Sequence, residues 1–545
     1  MANPDTPNKG DKLVFTRDAT GLVRQIGAFD AFIFNAFSTF PFAILFTMIF
    51  AFGLYPAANI PVAIVISILP VLAVGVTYIV MSIWMPRSGG DYVWIGRIIH
   101  PVLGFMMNFA LVFYLFTFIA VDVDLFTTAG LGSYFYSIGI AHNDAGALTL
   151  SGTLSNIKSP EVFGIAILLI AVSALIVAFG TKITMWVQKI IWILVVATTI
   201  AIIYLAATVS QSTFVSNFNN LSGTSTTSIT ALASTQPGFT NTATLVGTIF
   251  GIVFLFVGNL GYNFSTYLSG EVRGVKRTRT IGVLATLAIV AFFGILLVEV
   301  SQSLFGYNFL HSASYLWDEI NFGINPAAPY PTVLPPPFPI FFIGYLTSNT
   351  LLIFLITVGV GVVVLINVIP YMFVVTRNMF AWSFDRSVPE SVSKIDSRFH
   401  TPWAATIITF ILSVVVTYIT TYTGIASTFT YSTIIVGLLF VVVGVAALIF
   451  PFRRKDIFDN SPEIVKKKIG GLPLISLLGI LTVVSAGFVV VAILTPSYSG
   501  PFIMNNFLAI VAVFVMPVVI YYATYYYYKS KGIPVEIAQR EIPPE

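Results

Sequence analysis

Long apolar stretches recur along the chain, separated by short polar connections. A helix that crosses a membrane needs about 20 mostly apolar residues. Windows of that length predict twelve spanning helices, the eighth of which is longer than one crossing requires, so we expect part of it outside the hydrocarbon. They lie at about 27–54, 60–84, 101–126, 163–180, 185–208, 243–268, 281–304, 339–375, 403–421, 426–450, 472–495 and 502–527.

The composition agrees with this pattern. Of the 545 residues, 57% are hydrophobic and only 9% are charged, whereas soluble domains carry about 25% charged residues. Because so few charges cannot cover a water-facing surface, we expect an all-α integral membrane protein whose main partner is the lipid bilayer. Cysteine is absent, which excludes disulfides, thiolate metal sites and a cysteine nucleophile. We expect no cofactor, no metal site and no nucleic-acid partner.

The basic residues predict how the chain crosses the membrane. Lys and Arg favour the cytoplasmic side. With the N-terminus inside, 25 of the 26 basic residues fall on the cytoplasmic side, in the tails, in the connections or, for Lys189, one or two turns into the fifth span, and only Lys158 falls outside. We therefore expect a multi-pass protein of the plasma membrane with both termini in the cytoplasm.

This topology divides the chain into four segments. They are a cytoplasmic tail at 1–26, a core of helices 1–10 at 27–450, helices 11 and 12 with the preceding basic loop at 451–527, and a cytoplasmic tail at 528–545.

Two spans contain helix breakers at matching positions. In the first span, Pro41 removes a backbone donor and disfavours helical backbone at the preceding residue. In the sixth, Gly258 and Gly261 alternate with polar residues. Freed backbone groups at this depth need a cavity, a ligand or other protein groups as partners. Transporters build midplane binding sites from such broken helices, and the alternative is a pair of packing kinks.

These breaks define the predicted substrate site. A small zwitterion would offer its carboxylate to freed amides and its ammonium to freed carbonyls. Neither break carries an acidic residue to hold a polycation, and Phe37, Phe256 and Phe264 would form an apolar wall, so a neutral amino acid is favoured over a polyamine. The predicted binding residues are Asn35, Ala36, Phe37, Ser38, Thr39, Gly258, Asn259, Leu260 and Gly261.

Acidic residues inside spans are proton-relay candidates. Asp122 and Asp124 are predicted near the outer end of the third span, and Glu299 near the outer end of the seventh. The alternative is that all three are hydrated at the membrane surface.

Three cytoplasmic connections carry motifs. Pro86–Tyr92 reads Pro-x-x-Gly-Gly-x-Tyr, Glu271 begins a Glu-Val-Arg segment, and Arg377–Pro389 precedes Thr401-Pro402. Together they resemble the corresponding connections of amino acid–polyamine–organocation permeases. The resemblance implies a leucine-transporter-like fold, in which spans 1–5 and 6–10 form inverted repeats at about 27–208 and 243–450, with helices 11 and 12 peripheral.

The resemblance also implies a function. It implies a secondary transporter that moves amino acids or related organic cations by alternating access. Both breaks depart from the family pattern, because the first lacks glycine and the sixth lacks an acidic residue, which leaves the substrate open. The motif residues predicted to gate the cytoplasmic mouth are Gly89, Gly90, Tyr92, Glu271, Arg377, Asp385 and Arg386.

Other protein classes fit less well. All four histidines fall in connections, so paired haem ligands on spans are absent and we do not expect an enzyme. A channel, or a non-transporting scaffold or sensor with the same fold, remains the alternative. Thr357 is the only hydroxyl residue within 351–370, whereas a sodium site in this fold uses paired hydroxyls there. We therefore expect coupling to protons or exchange. The oligomeric state stays open.

Overall fold

Helices account for nearly all of the ordered structure. The computed structural model describes residues 22–258, 260–423, 429–495, 504–533 and 535–540. Ten helical runs in these ranges are long and apolar enough to cross a membrane. Two further spans, the first and the sixth, are interrupted. The predicted all-α membrane protein with about twelve spans is thereby confirmed.

The spanning elements follow the predicted order, and each of the two broken spans consists of a pair of segments. They are α1 (Ala28–Ser38) with α2 (Ile44–Leu54), α3 (Ile60–Trp84), α5 (Pro101–Leu125), α8 (Pro160–Ala178), α9 (Thr181–Thr208), α12 (Leu245–Gly258) with a 3-10 helix (Phe264–Glu271), α13 (Val275–Phe305), α15 (Thr350–Phe384), α16 (Trp403–Thr423), α17 (Phe429–Arg453), α20 (Leu474–Leu494) and α21 (Met504–Ser530).

Shorter elements occupy the connections. They are α4 (Asp91–Ile98), α6 (Gly132–His142), α7 (Ala145–Ser155), α10 (Gln211–Leu221), α11 (Thr226–Ser234), α14 (Tyr307–Asn321), α18 (Lys455–Phe458), α19 (Glu463–Lys466), α22 (Val535–Arg540), the 3-10 helices Pro339–Tyr345 and Glu390–Ser393, and the antiparallel strands β1 (Lys468–Ile469) and β2 (Leu472–Pro473).

Local sequence explains where the long helices begin. Helix α3 starts after Asn59, whose side chain accepts a hydrogen bond from the backbone of Val62, and Asn349 caps α15 in the same way. Pro101 occupies the first turn of α5, where a missing backbone donor costs nothing.

The third span is longer than predicted. A π-helical stretch at Phe126–Leu131 joins α5 to α6, so that the helical run continues from Pro101 to His142. Within that stretch, Gly130 meets Gly361 of α15, and a β-carbon at either position would overlap the backbone of the other. The predicted eighth span also divides as expected, because its first part forms the 3-10 helix Pro339–Tyr345 outside α15.

The connections gather at two faces. One end of the molecule, which we call the basic face, holds the connections 85–100, 269–280, 376–402 and 451–471. There the backbone of Gln25 and Ile26 bonds to Glu271, and Gly89 bonds to Tyr267. The opposite end carries α7, α10, α11 and α14. The sidedness of the two faces, the four segment boundaries and the inverted repeats stay predictions.

Candidate functional site

The breaks of the first and sixth spans lie against each other. Helix α1 ends at Ser38, and Phe40 takes a positive φ of 55° before Pro41, so the chain turns before α2 begins. In the sixth span Gly261 has a φ of 104°, which glycine adopts without strain. A β-carbon at Gly261 would overlap the carbonyl oxygen of Ser38. The two breaks are thus in backbone contact.

A side chain also joins the two breaks. The Oδ1 atom of Asn35 accepts a hydrogen bond of 2.7 Å from the backbone of Ser265. The Nδ2 atom of Asn35, the Oγ atom of Ser265 and both side-chain polar atoms of Asn263 are buried without a hydrogen-bond partner in the described part of the chain. Buried polar groups are nearly always paired. These atoms are unsatisfied donors and acceptors on the two broken spans, and the Nδ2 atom of Asn35 lies toward Gly282 of α13.

The remaining predicted residues of the first break serve the helix itself. Ser38 Oγ donates to the Phe34 carbonyl, and Thr39 Oγ1 donates to the carbonyls of Asn35 and Ala36. Their hydroxyls therefore hold the end of α1 together. The ring of Phe37 packs edge-on against Trp192 of α9.

In the sixth span, the structure brings Leu260 and Gly261 to the break. Leu260 is buried. Gly258 is the last residue of α12, and Asn259 lies outside the described residues. Phe264 packs against Tyr371 of α15 at 5.8 Å between ring centres.

Tyr371 links the breaks to a buried acid. Its hydroxyl donates to the Ser38 carbonyl at 3.1 Å and accepts a bond from Asn367 at 3.0 Å. The Asn367 amide faces the Asp122 carboxyl group, whose Oδ2 atom has no hydrogen-bond partner among the described residues. Asp122 is thus buried among other spans, whereas its predicted place near the outer end of the third span stays a prediction. The helix continues past Asp122 through the π-helical stretch to His142. Three successive contacts, through Asn367 and Tyr371, link Asp122 to Ser38 at the first break.

Asp124 and Glu299 lie elsewhere. Asp124 points to α16, where Thr421 donates a bond of 3.3 Å to it. Glu299 is exposed on the outside of α13. The structure therefore does not bring these two acids to the breaks.

On the basic face, Asp385 forms a buried ion pair with Arg97. Two hydrogen bonds of 2.5 and 2.7 Å connect the guanidinium to the carboxylate. Tyr92 lies beside the same loop, with its hydroxyl 3.3 Å from that of Ser387. Arg386 lies 3.8 Å from Glu390. The Arg97–Asp385 ion pair fastens α4 to the segment after α15.

A second buried pair holds the sixth span to α15. Arg377 Nε donates to Glu271 Oε1 at 2.7 Å, and the Thr181 hydroxyl donates to Glu271 Oε2. The backbone carbonyl of Glu271 also receives the amides of Gln25 and Ile26. Glu271 therefore connects the chain before α1, the start of α9 and α15.

Gly89 and Gly90 allow a close approach between these connections. Both have positive φ, and a β-carbon at Gly89 would crowd Ala381, while one at Gly90 would press on the ring of Tyr267. The expected close approach at the 86–92 segment is thus present. Its role in gating stays a prediction.

Asp91 is the centre of a buried hydrogen-bond network. It accepts bonds from Tyr78 of α3 at 2.8 Å, from Asn108 of α5 at 2.9 Å and from the hydroxyl of Tyr267. Trp382 of α15 donates to Asn108 at 2.8 Å. Burial raises the pKa of Asp91 to about 6, although the bonds from Tyr267, Tyr78 and Asn108 oppose the rise. Three spans therefore bond to this carboxyl group, and a fourth, α15, is joined to it through Asn108.

Sequence reasoning missed Arg97 and Asp91 as functional residues. Asp91 stands inside the Gly-Gly-Asp-Tyr motif, and an acid in that position was the available signal. Arg97 looked like one more cytoplasmic cation, because its partner is 288 positions away.

A helical membrane protein whose first and sixth spans break where they meet has the architecture of a secondary transporter. The family comparison makes this specific. Residues 31–522 match the family model described as amino acid permease. Because the match covers most of the chain, the chain belongs to the amino acid permease family, whose members transport amino acids across membranes. No curated protein matches the chain.

Proposed function

We propose that this permease carries a small neutral amino acid across the plasma membrane by alternating access, with its cytoplasmic mouth at the basic face. The observation that carries the proposal is that Asn35, Asn263 and Ser265 of the two broken spans keep unpartnered polar atoms, while Asn35 bonds to the backbone of Ser265 across the contact between those spans. A zwitterion brings both an acceptor and a donor to such atoms. The apolar contacts of Phe264 with Tyr371 favour an uncharged side chain.

The coupling we propose uses protons or exchange. A buried carboxyl group without a cation beside it favours its neutral form. Asp122 fits this description and reaches the first break through Tyr371. The Thr357 hydroxyl is bonded to the Ile353 carbonyl within its own helix, which favours a sodium-independent carrier.

Substitution of Asn263 tests the binding site. Asn263→Ala removes polar atoms that have no protein partner, so we expect at least a tenfold loss of ligand affinity with no loss of thermal stability. Asn108→Ala is the matched control. It removes a buried amide bonded to Asp91 and Trp382, so stability should fall while affinity is kept. Affinity is measured as the thermal shift of purified protein across a panel of amino acids and polyamines. Equal affinity of Asn263→Ala and parent would refute the site.

Substitution of Asp122 tests the coupling. In proteoliposomes, uptake by the parent should rise with an inward proton gradient, or with internal substrate for exchange. Asp122→Asn should lose the response to the proton gradient, whereas Asp124→Asn should keep it, because Asp124 faces α16. Uptake that requires an inward sodium gradient at constant pH would overturn the proposal. If a polyamine bound most tightly, the proposed substrate class would be wrong, whereas the proposed carrier mechanism would still hold.

A further inference from the structure

Helix α14 covers the first span on the face opposite the basic face, and we call α14 (Tyr307–Asn321) the cover. It packs along α2 and against α11. The closest approach is between Gly53 of α2 and Asp318 of the cover, since a β-carbon at Gly53 would overlap the Asp318 carboxyl group. An acidic side chain is therefore pressed onto the backbone of α2.

The described residues around the Asp318 carboxyl group do not stabilise a negative charge on it. Its side chain is buried, and neither oxygen has a hydrogen-bond partner in the described residues. An ionised carboxylate in such surroundings is strongly disfavoured unless it is paired. Burial raises the pKa of Asp318 well above its usual range, and the nearby Glu319 raises it further.

The neighbouring elements offer no compensating cation in their described parts. Helices α2 and α11 contain no ionisable residue, and neither does the 237–244 segment that contacts the cover. The cover itself contributes His311 and Glu319. Helix α13 contributes Glu299 near the end that meets the cover, and its cations Lys276, Arg277 and Arg279 lie at its other end.

We propose that Asp318 is a proton-binding site that controls the cover. With the proton bound, the cover lies on α2 and closes the approach to the breaks from this side. When the proton leaves, the carboxylate moves into water and the cover separates from α2. The effect on substrate access rests on the transport function proposed above, whereas the docking of the two helices does not.

The pH range follows from the two titrating groups on the buried side of the cover. Loss of the Asp318 proton weakens docking as pH rises above the ordinary value of 3.8, by at most about tenfold per pH unit. Burial lowers the pKa of His311 from 6.5 to about 4, so docking strengthens as pH rises between these values. The two effects oppose each other up to pH 6.5. Above that value His311 no longer opposes Asp318, and the cover should open with rising pH until Asp318 has ionised in the docked state.

A single introduced thiol measures the opening. The chain has no cysteine, so Ser312→Cys places one reporter on the cover at a buried position. The labelling rate with a thiol reagent is measured on purified protein in detergent, where both faces meet the same buffer. Each rate is divided by that of the same reporter in Asp318→Asn, which cancels the pH dependence of the thiol. We expect this ratio to rise with pH, by at most about tenfold per pH unit.

Control variants make the result decisive. Glu319→Gln, a neighbouring acid on the same helix, should keep the rise in the ratio. Asp318→Leu serves as a second neutral variant in case the first does not fold. Gly53→Ala should label rapidly at every pH, because its methyl group overlaps the carboxyl group of Asp318. A ratio that stays constant with pH, or one that Glu319→Gln abolishes, would overturn the proposal while leaving the transport function untouched.

Discussion

Arg97 and Asp385 hold each other across 288 positions of sequence, through two hydrogen bonds buried under the basic face. Breaking a buried pair by removing one charge costs about 3–5 kcal/mol, because the other charge is left uncompensated. We therefore expect Asp385→Asn to lower the unfolding temperature of the purified protein clearly. The double variant Arg97→Leu with Asp385→Leu should recover part of that loss. Additive losses in the two single variants and the double variant would show that the pair is not coupled.

Gly261 provides a test of the contact between the breaks. Gly261→Ala adds a methyl group where the Ser38 carbonyl lies and also strains a backbone with a φ of 104°. We expect ligand binding to fall by at least tenfold, because the two breaks must separate. Gly487→Ala in α20 is the matched control, since a β-carbon there meets open space. Binding is followed by thermal shift, and equal behaviour of the two variants would contradict the proposed contact role.

Tyr267 provides a test of the network around Asp91. Tyr267→Phe removes a hydroxyl that donates to the Asp91 carboxyl group, a bond worth about 1.5–3 kcal/mol if the acceptor is charged. The inner half of the sixth span should then loosen, so a thiol introduced as Ser265→Cys should label about tenfold faster or more. Tyr262→Phe is the control, because the Tyr262 hydroxyl has no partner among the described residues. Faster labelling in both variants would point to general loosening.

His311 predicts where the pH response of the cover begins. It is held neutral by burial, with Nδ1 3.1 Å from Asn241 Oδ1. Replacing it in His311→Gln removes the effect that opposes Asp318 below pH 6.5. The labelling rate of the Ser312→Cys reporter, corrected for thiol ionisation, should then begin to rise near pH 4 instead of above pH 6.5. An unchanged onset would mean that His311 does not titrate with the movement of the cover.

The sequence was sufficient for the spans and for the two breaks, because both depend on local composition. Pro41 and Gly261 interrupt helices wherever they occur in such a context, and the actual break of the first span falls only a few residues after Asn35. The positions of Asp122 and Phe37 depended on packing between distant helices. The Asn367 amide that faces Asp122 and the Trp192 ring that contacts Phe37 are far away in the chain, and neither contact leaves a periodic signal in the sequence.

The cover was harder to foresee. The 305–338 segment ends in a proline-rich stretch, yet its first half forms the amphipathic helix α14. Its proline residues all follow that helix. The ionisable residues that matter in it, His311 and Asp318, are spaced by two helical turns and therefore share one face. That spacing was visible in the sequence, but its meaning depended on knowing that α2 lies beneath.

Gly130 and Gly361 leave no room for a side chain between the third and eighth spans. Two helices in such close contact cannot slide past each other without one backbone striking the other. The third and eighth spans therefore form a rigid pair of helices, and any rocking of the broken spans takes place relative to this pair. A larger residue at either glycine would require the two helices to repack. We therefore expect laboratory evolution for new substrates to change residues of the breaks and of the cover before it changes this helix crossing.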